Sequence, residues 1–396
     1  MKKVLRILNR FNIGGPTHNA TFLTKYLHPD YQTKLIAGKK LDSEASSEFM
    51  LKDYEIDFEI IEDMSRSINP VKDLKSFFKI KKIIKEFQPD IVHTHASKSG
   101  ALGRLAAITS KVPIIVHTFH GHVFHSYFGN LKTKFYIFLE RFLAKKSSAI
   151  IAISNLQRKE LIHEFKICPE SKTYTIQLGF DLDKFQEDSL NKRNSFRNEF
   201  NLEFDDIAIG IIGRLTLIKN HTFFLKAIKK LLDDTSRKFK VFIVGDGEDR
   251  LALQKTCSEL NLSFNSKDVK DPLIYFTSWR KDMDKVYAGL DIVALTSKNE
   301  GTPVTLIEAQ ASNKPIVTTD VGGVMDVVKE DITAFVSDKH DHIRFSNNMR
   351  MLVEDDSMRI KMGSAGYNHV SELFSYKRLV RDVGELYENL LNEKNI

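Results

Sequence analysis

The chain has 396 residues, 42% apolar and 28% charged, with a formal net charge of +7 at pH 7. That length exceeds one ordinary core and that balance excludes a disordered chain, so two globular domains are expected. Cys168 and Cys257 stand in no metal spacing, which fits free thiols in a reducing cytoplasm, and no run of about 18 apolar residues predicts a membrane-spanning helix.

Residues 1–10 open like a signal peptide, but Arg6 and Arg10 interrupt the apolar run, which reads as a first strand at 4–8. Further strands are predicted at 33–37, 57–61, 90–93, 114–118, 149–153 and 173–176. A second series falls at 207–212, 240–244, 273–276, 292–296, 315–319 and 333–336. Helical patterns between these runs predict parallel sheets covered by helices. The charged, strand-poor segment 181–206 reads as a linker between domains at 1–180 and 207–374. In the last segment, 375–396, Leu379, Val383, Leu386, Tyr387 and Leu390 form one helical stripe that requires a partner surface. The expected class is α/β: two facing Rossmann-like, doubly wound domains whose strand C-termini carry ligand loops into a cleft between them.

The charge is uneven. Residues 1–180 hold an excess of eleven positive charges and the remainder an excess of four negative ones. Between Ser97 and Ile150 the one acid is Glu140, against eight basic residues. No nucleic-acid motif accompanies this charge. An anionic membrane surface and an anionic substrate both account for it. Residues 130–146 read as a helix with Leu131, Phe135, Phe138, Leu139 and Phe142 on one face and Lys134, Arg141 and Lys145 beside them. Either that face packs on the sheet, or it lies at a lipid surface.

Several short motifs carry chemistry. Gly14-Gly15 follows the first strand and serves a phosphate loop or a tight turn; it is not Gly-x-Gly-x-x-Gly. Arg214, in Gly213-Arg-Leu, and Lys219 are cations at a strand end and a helix start. Lys219 opposes the helix dipole there, so the pair suits a diphosphate, the alternative being solvated surface charge. In Glu300-Gly-Thr-Pro-Val-Thr-Leu-Ile-Glu308, Thr302 is expected as N-cap, Pro303 as first helical residue, and Glu308 on the buried stripe with Val304, Ile307 and Ala311. A carboxylate there demands an internal partner or ligand hydroxyls. His93, His95, His117, His120, His122 and His125 cluster in sequence, but neither acids nor His-Glu-x-x-His accompany them, so His120-Gly121 reads better as a polar group at a ligand edge than as a metal site. Trp279 and Arg280 either stack on a base or pack. Gly245-Asp-Gly247 is turn chemistry.

Together these parts resemble the retaining glycosyltransferases of the GT-B fold, in the family-four group of bacterial sugar transferases. The likeness runs over nearly the whole chain. It rests on Glu300–Glu308, Gly213-Arg-Leu with Lys219, Ile243-Val-Gly-Asp-Gly, Thr277-Ser-Trp-Arg-Lys-Asp-Met-Asp-Lys-Val-Tyr, Val321-Gly-Gly, His93-Thr-His and His120-Gly. The resemblance implies transfer of a hexose or N-acetylhexosamine from a nucleotide-diphosphate sugar, with UDP as the expected nucleotide. It implies that Arg214, Lys219 and the Gly14-Gly15 backbone hold the diphosphate and that Glu308 takes the ribose hydroxyls. Glu300 and the Gly301, Thr302, Pro303 and Val304 segment would meet sugar and phosphate. Trp279 and Arg280 would border the base, and His120 would lie by the reacting sugar as base or positioning group. No cofactor and no metal are expected. The acceptor is lipid-linked or a saccharide, for surface polysaccharide or glycolipid assembly, in the cytoplasm or at the inner membrane face, with an anionic membrane as a further partner and no nucleic acid. Rival readings are a nucleotide-sugar epimerase and a non-catalytic nucleotide-sugar binder. The chain departs from the group at Ser278 and Ala334, where Gly is common.

Overall fold

The computed structural model describes all residues except 13–14, 41–45, 66, 122–129 and 267, and gives backbone alone for 130–132. The chain divides into two compact units, Met1–Phe180 with Phe374–Ile396, and Asp181–Leu373. Each is built on one parallel sheet.

The first sheet holds β1 (Lys2–Leu8), β2 (Tyr31–Gly38), β3 (Phe58–Ile61), β4 (Ile91–His95), β5 (Ile114–Phe119), β6 (Ala149–Ala152) and β7 (Thr173–Thr175). Its order is β3-β2-β1-β4-β5-β6-β7. Its helices are α1 (Gly15–Tyr26), α2 (Glu48–Asp53), α3 (Pro70–Phe87), α4 (Ser97–Thr109), α5 (Asn130–Lys146) and α6 (Asn155–Lys159).

The second unit opens with α7 (Ser189–Glu199). Its sheet holds β8 (Ile207–Ile212), β9 (Phe239–Val244), β10 (Ile274–Ser278), β11 (Ile292–Leu295), β12 (Ile316–Thr319) and β13 (Ala334–Ser337), ordered β10-β9-β8-β11-β12-β13. Around it lie α8 (His221–Asp234), α9 (Arg250–Glu259), α10 (Met283–Gly289), α11 (Val304–Ala311), α12 (His342–Glu354) and α13 (Asp356–Phe374). The chain then returns to the first unit as α14 (Tyr376–Glu393). Every strand predicted from sequence is present, because strands covered on both faces read as uninterrupted β-branched runs.

Strand residues alternate between two cores. In the first unit Val4, Ile91, Ile114 and Ile151 face α1 and α14, where Leu379, Val383, Leu386, Tyr387 and Leu390 complete the cluster. The stripe of the last helix thus finds its partner within this unit. Leu5, Ile7, Val92 and Ile115 face the opposite way, against α3 and α4. Direction reverses between β1 and β4 and between β8 and β11, and the strand ends at such reversals are where open parallel sheets bind ligands.

The segment 181–206 is not a linker. Its α7 packs on α10 and buries Phe196 against Phe242 at 5.0 Å between rings. Arg193 and Arg197 reach Asp291 at 2.7 and 3.3 Å, so charges that read as solvated are internal partners. α5 also differs from the packed reading. Phe135, Phe138 and Phe142 are exposed, and Leu143 and Ala144 are the residues that face inward. Leu131 lies outside the described side chains.

Tyr387 ties α14 to the sheet. It accepts from the buried Arg6 guanidinium at 3.3 Å and lies 2.6 Å from His93 Nδ1. Removing that hydroxyl strands two buried polar groups, at about 1–3 kcal/mol each. Tyr387→Phe should therefore lower the urea midpoint of the full chain by a loss of at least about 2 kcal/mol. An unchanged midpoint would show that the bridge contributes nothing.

Candidate functional site

In the second unit the residues after β8 and β11 meet at the reversal point. Lys219 donates to Glu300 Oε1 at 2.6 Å, and Ser297 Oγ donates to the same oxygen at 2.5 Å. Thr296 Oγ1 donates to the carbonyls of Lys219 and Asn220 at 3.0 and 3.3 Å, and the Lys298 amide donates to Ile218 O at 2.8 Å. Ion pair and backbone thus lock the two loops together. Arg214 is exposed beside them and pairs with Glu248 at 3.2 Å.

Glycines permit this closeness. A side chain at Gly322 would meet Glu300 O at 1.9 Å, and one at Gly323 would meet Gly301 O at 2.0 Å. The Gly323 amide donates to Glu300 O at 3.1 Å. Val321-Gly-Gly is therefore the floor under the Glu300 turn. Gly245 plays the same part beneath Gly213, whose carbonyl a Cβ at 245 would meet at 2.0 Å.

α11 begins at Val304, so Pro303 is the N-cap and Thr302 lies outside the helix. The sequence reading placed both one position too far along. Proline has no side-chain acceptor, and no side chain caps this end, which leaves its first amides oriented for an anion. Gly301 is exposed and Thr302 and Val304 are half-buried, while Pro303 is buried. Glu308 sits half-buried at the flank of the stripe formed by Leu306, Ile307, Gln310 and Ala311. Burial raises its carboxyl above the usual range, and the Tyr287 hydroxyl and the charge of Lys184 offset only part of that. Glu308 has no ion pair among the described residues.

β10 ends at Ser278, which has φ +58°. This left-handed backbone explains the glycine common there in the group, since an L side chain is strained by roughly 1–2 kcal/mol. Here Arg250 holds the serine: it donates to Ser278 Oγ at 2.6 Å and to Asp246 at 2.8 Å. Trp279 follows with 65% of its surface exposed. Arg280 does not share that face. Its guanidinium is clamped by Asp282 at 2.7 and 2.9 Å and by Glu199, which lifts its pKa further. Arg280 thereby fastens α7 to the loop after β10.

In the first unit Gly15 is the first residue of α1, and Gly14 lies outside the described residues, as do His122 and His125. His93, His95 and His117 are fully buried on β4 and β5. His93 bridges two hydroxyls, with Nδ1 2.6 Å from that of Tyr387 and Nε2 2.7 Å from that of Thr118. His95 stacks on His93 at 4.3 Å and joins its Nδ1 to His120 Nε2 at 2.9 Å. Burial drives all four imidazoles down, His120 to about 3. At neutral pH His120 is an uncharged hydrogen-bonding group positioned by His95. Among the described residues no three His, Cys, Asp or Glu side chains group for a metal ion. Tyr287, Lys184, Arg250 and the His95 contact escaped the sequence reading because each works through a partner distant in sequence, and Ser297, three residues before Glu300, escaped it because no motif marks it.

The fold and these loops define a class: a GT-B glycosyltransferase. Residues 192–369 match the Glycosyl transferases group 1 family and residues 23–184 match Glycosyltransferase Family 4. The chain is 30% identical over 332 residues to a UDP-Gal:alpha-D-GlcNAc-diphosphoundecaprenol alpha-1,3-galactosyltransferase of Escherichia coli, covering 84% of this chain and 83% of that one. It is 25% identical to the capsular polysaccharide biosynthesis glycosyltransferase CapM of Staphylococcus aureus, covering 87% and 88%. Anabaena HepE in complex with UDP superposes with a TM-score of 0.81 at 18% identity, covering 98% of this chain and all of that one. The chain belongs to the GT-B family-four glycosyltransferases and is an enzyme that transfers a sugar.

The depressed histidines make stability depend on acid. Below pH 6.5 the unfolded chain takes up protons that the folded imidazoles refuse, so stability falls as pH falls, down to the lowered folded values. Each excluded proton contributes about 1.4 kcal/mol per pH unit. Thermal melts between pH 7 and 4.5 should show a steep fall in Tm, and His95→Asn should flatten it. A melting temperature independent of pH in that window would contradict the buried neutral cluster.

Proposed function

We propose that the enzyme moves a hexose or N-acetylhexosamine from a UDP-sugar, with retention at the anomeric carbon, to a lipid-linked or saccharide acceptor in surface polysaccharide or glycolipid assembly. The observation that carries the donor reading is the junction of Lys219, Glu300 and the uncapped start of α11 at the β8/β11 reversal. As the bond from C1 to the leaving oxygen breaks, negative charge grows on the diphosphate. Lys219, Arg214 and the amides of Gly301, Thr302 and Val304 would stabilise it. Their positive charge supports metal-independent chemistry.

Glu308 is assigned to the ribose hydroxyls, which would replace the water its half-buried carboxylate lacks. Trp279 presents an exposed ring for the base. Gly14 and Gly15 remain assigned to the phosphate by resemblance. Glu300, held by Lys219 and Ser297, faces the donor and is not free to act as nucleophile, which favours attack on the same face over a glycosyl-enzyme. His120, neutral and tethered to His95, suits hydrogen bonding to a sugar better than proton abstraction, since a base is most effective with a pKa near the working pH. The diphosphoundecaprenol-linked acceptor in the Escherichia coli relative's name supports a polyprenyl-diphosphate-linked acceptor here.

The test is turnover of a UDP-sugar panel in the presence of EDTA, with and without acceptor, and with the product's anomeric configuration read by NMR. Acceptor-dependent release of UDP with α product from an α donor is expected. Conversion of donor without acceptor would identify an epimerase, and silencing by EDTA with rescue by Mg²⁺ would overturn metal independence. Arg214→Ala and Lys219→Ala should each lower kcat by roughly 10²–10³-fold. Glu308→Gln should act chiefly on donor binding, and an unchanged Kd for UDP-sugar by calorimetry would remove Glu308 from the ribose.

A further inference from the structure

The helix layer over one face of the first sheet is apolar on its outer side. α4 lies between α3 and α5 and packs on both. Two ion pairs fix this layer: the buried Arg104 to Glu140 at 2.6 Å and the half-buried Lys98 to Asp73 at 2.5 Å. The inner sides fill the core through Ile80, Ile83 and Ile84 of α3 and Ala106 and Ala107 of α4, with Ala144 of α5 against Ile150.

The outer sides repeat one pattern. On α3, Val71, Leu74 and Phe78 stand at i, i+3 and i+7, with Lys82 at i+11; on α5, Phe135, Phe138, Phe142 and Lys146 have the same spacing. These six apolar side chains are between 46% and 70% exposed. On α4 between them, Ala101, Leu105 and Ile108 are half-buried and add no charge. Each large side chain gains by leaving water, and two such exposed stripes on one helix layer call for a covering surface.

The charge around these stripes is mainly positive. α3 carries six lysines against Asp73 and Glu86; Asp73 is taken by Lys98, Glu86 lies 3.7 Å from Lys82, and Lys79 reaches Glu59 at 2.9 Å, which leaves a cationic excess. The single acid between Ser97 and Ile150, Glu140, is buried with Arg104, so α5 shows solvent only cations, Lys134, Lys145 and Lys146 among them. Where the C-terminal ends of α3 and α4 diverge, a groove of about 450 Å³ is lined by Lys81, Lys82, Lys85 and Lys111 with no carboxylate. The second unit supplies a contrast. The outer side of α8 pairs Lys229 with Asp233 and Lys230 with Asp234, at 2.7 and 2.8 Å, the usual charge-balanced helix surface.

We propose that the outer face of α3, α4 and α5 docks on an anionic phospholipid bilayer, with the Val71–Leu74–Phe78 and Phe135–Phe138–Phe142 stripes entering the interface and the lysines meeting head-group phosphates. Apolar stripes bordered by lysine are the chemistry of interfacial helices, and two sets on one rigid layer define a plane. The proposal extends the lipid-linked acceptor reading by naming the surface that would bring this unit to such an acceptor. Charge selects the bilayer over a second copy of the chain, because a symmetric pairing of this face would oppose like charges.

The test is co-flotation of the full chain with vesicles of phosphatidylcholine alone or with one-third phosphatidylglycerol. Wild type should float with anionic vesicles and much less with neutral ones. Phe135→Ser/Phe138→Ser/Phe142→Ser and Val71→Ser/Leu74→Ser/Phe78→Ser should each weaken binding at least about tenfold. Lys75→Glu/Lys82→Glu/Lys145→Glu/Lys146→Glu should weaken it by more than about fivefold per lysine, whereas Lys229→Glu/Lys230→Glu on α8 should leave it unchanged. The sites on the docking face are exposed, Lys229 and Lys230 are half-buried, and circular dichroism melts check that each variant folds. Binding indifferent to both apolar sets, or to lipid charge and the lysine set, overturns the proposal; so does light scattering that finds a dimer broken by the same apolar substitutions. UDP-sugar binding by calorimetry, measured on the same variants, should be unchanged. Its loss in wild type would count against the transferase donor reading, and failure of flotation alone counts against the surface.

Discussion

The Lys219–Glu300 ion pair is the contact on which the second unit's ligand edge depends. It closes the reversal between β8 and β11 together with the Thr296 and Lys298 hydrogen bonds that tie the same two loops. A partly buried pair is favourable only with good geometry and further hydrogen bonds. Ser297 provides one, and Thr296 secures the backbone beneath Lys219. The floor of Gly322 and Gly323 then sets how low the Glu300 turn can sit, and Gly245 does the same for Gly213. A cation held by a carboxylate in this way is pre-positioned, and under the proposed donor reading a diphosphate would compete for it without rebuilding the loop.

The first unit uses burial differently. Its strand ends carry Arg6, His93, His95 and His117 inside the protein, and α14 returns from the far end of the chain to satisfy two of them through Tyr387. The imidazoles are held uncharged beside the buried Arg6 guanidinium, so His120 presents a polar but neutral group. One unit presents fixed cations and the other neutral donors and acceptors, a division that suits an anionic leaving group on one substrate and hydroxyls on another.

Much of this was legible in the sequence because parallel strands buried on both faces are continuous apolar runs, and because the α14 stripe has a clear period. The loop motifs were legible too, since cations at a helix start contradict the dipole. The failures share a cause. The α7 segment looked like a linker because Arg193 and Arg197 hide their partner, Asp291, about a hundred residues away. The partner of Arg280 was hidden for the same reason, with Glu199 lying upstream. On α5 the amphipathic period was visible, but periodicity alone does not say which face is turned inward; Leu143 and Ala144 decide that, with Arg104 anchoring Glu140. Thr302 was misplaced as N-cap by one residue, within the ordinary uncertainty of helix ends.

The most direct measurement of the central claim is a crystal structure of the full chain with UDP bound. The account predicts the diphosphate within hydrogen-bonding distance of Lys219 Nζ and the amides at the start of α11, with the ribose hydroxyls on the Glu308 carboxylate. UDP seated elsewhere, with the Lys219–Glu300 contact intact and Glu308 untouched, would contradict it.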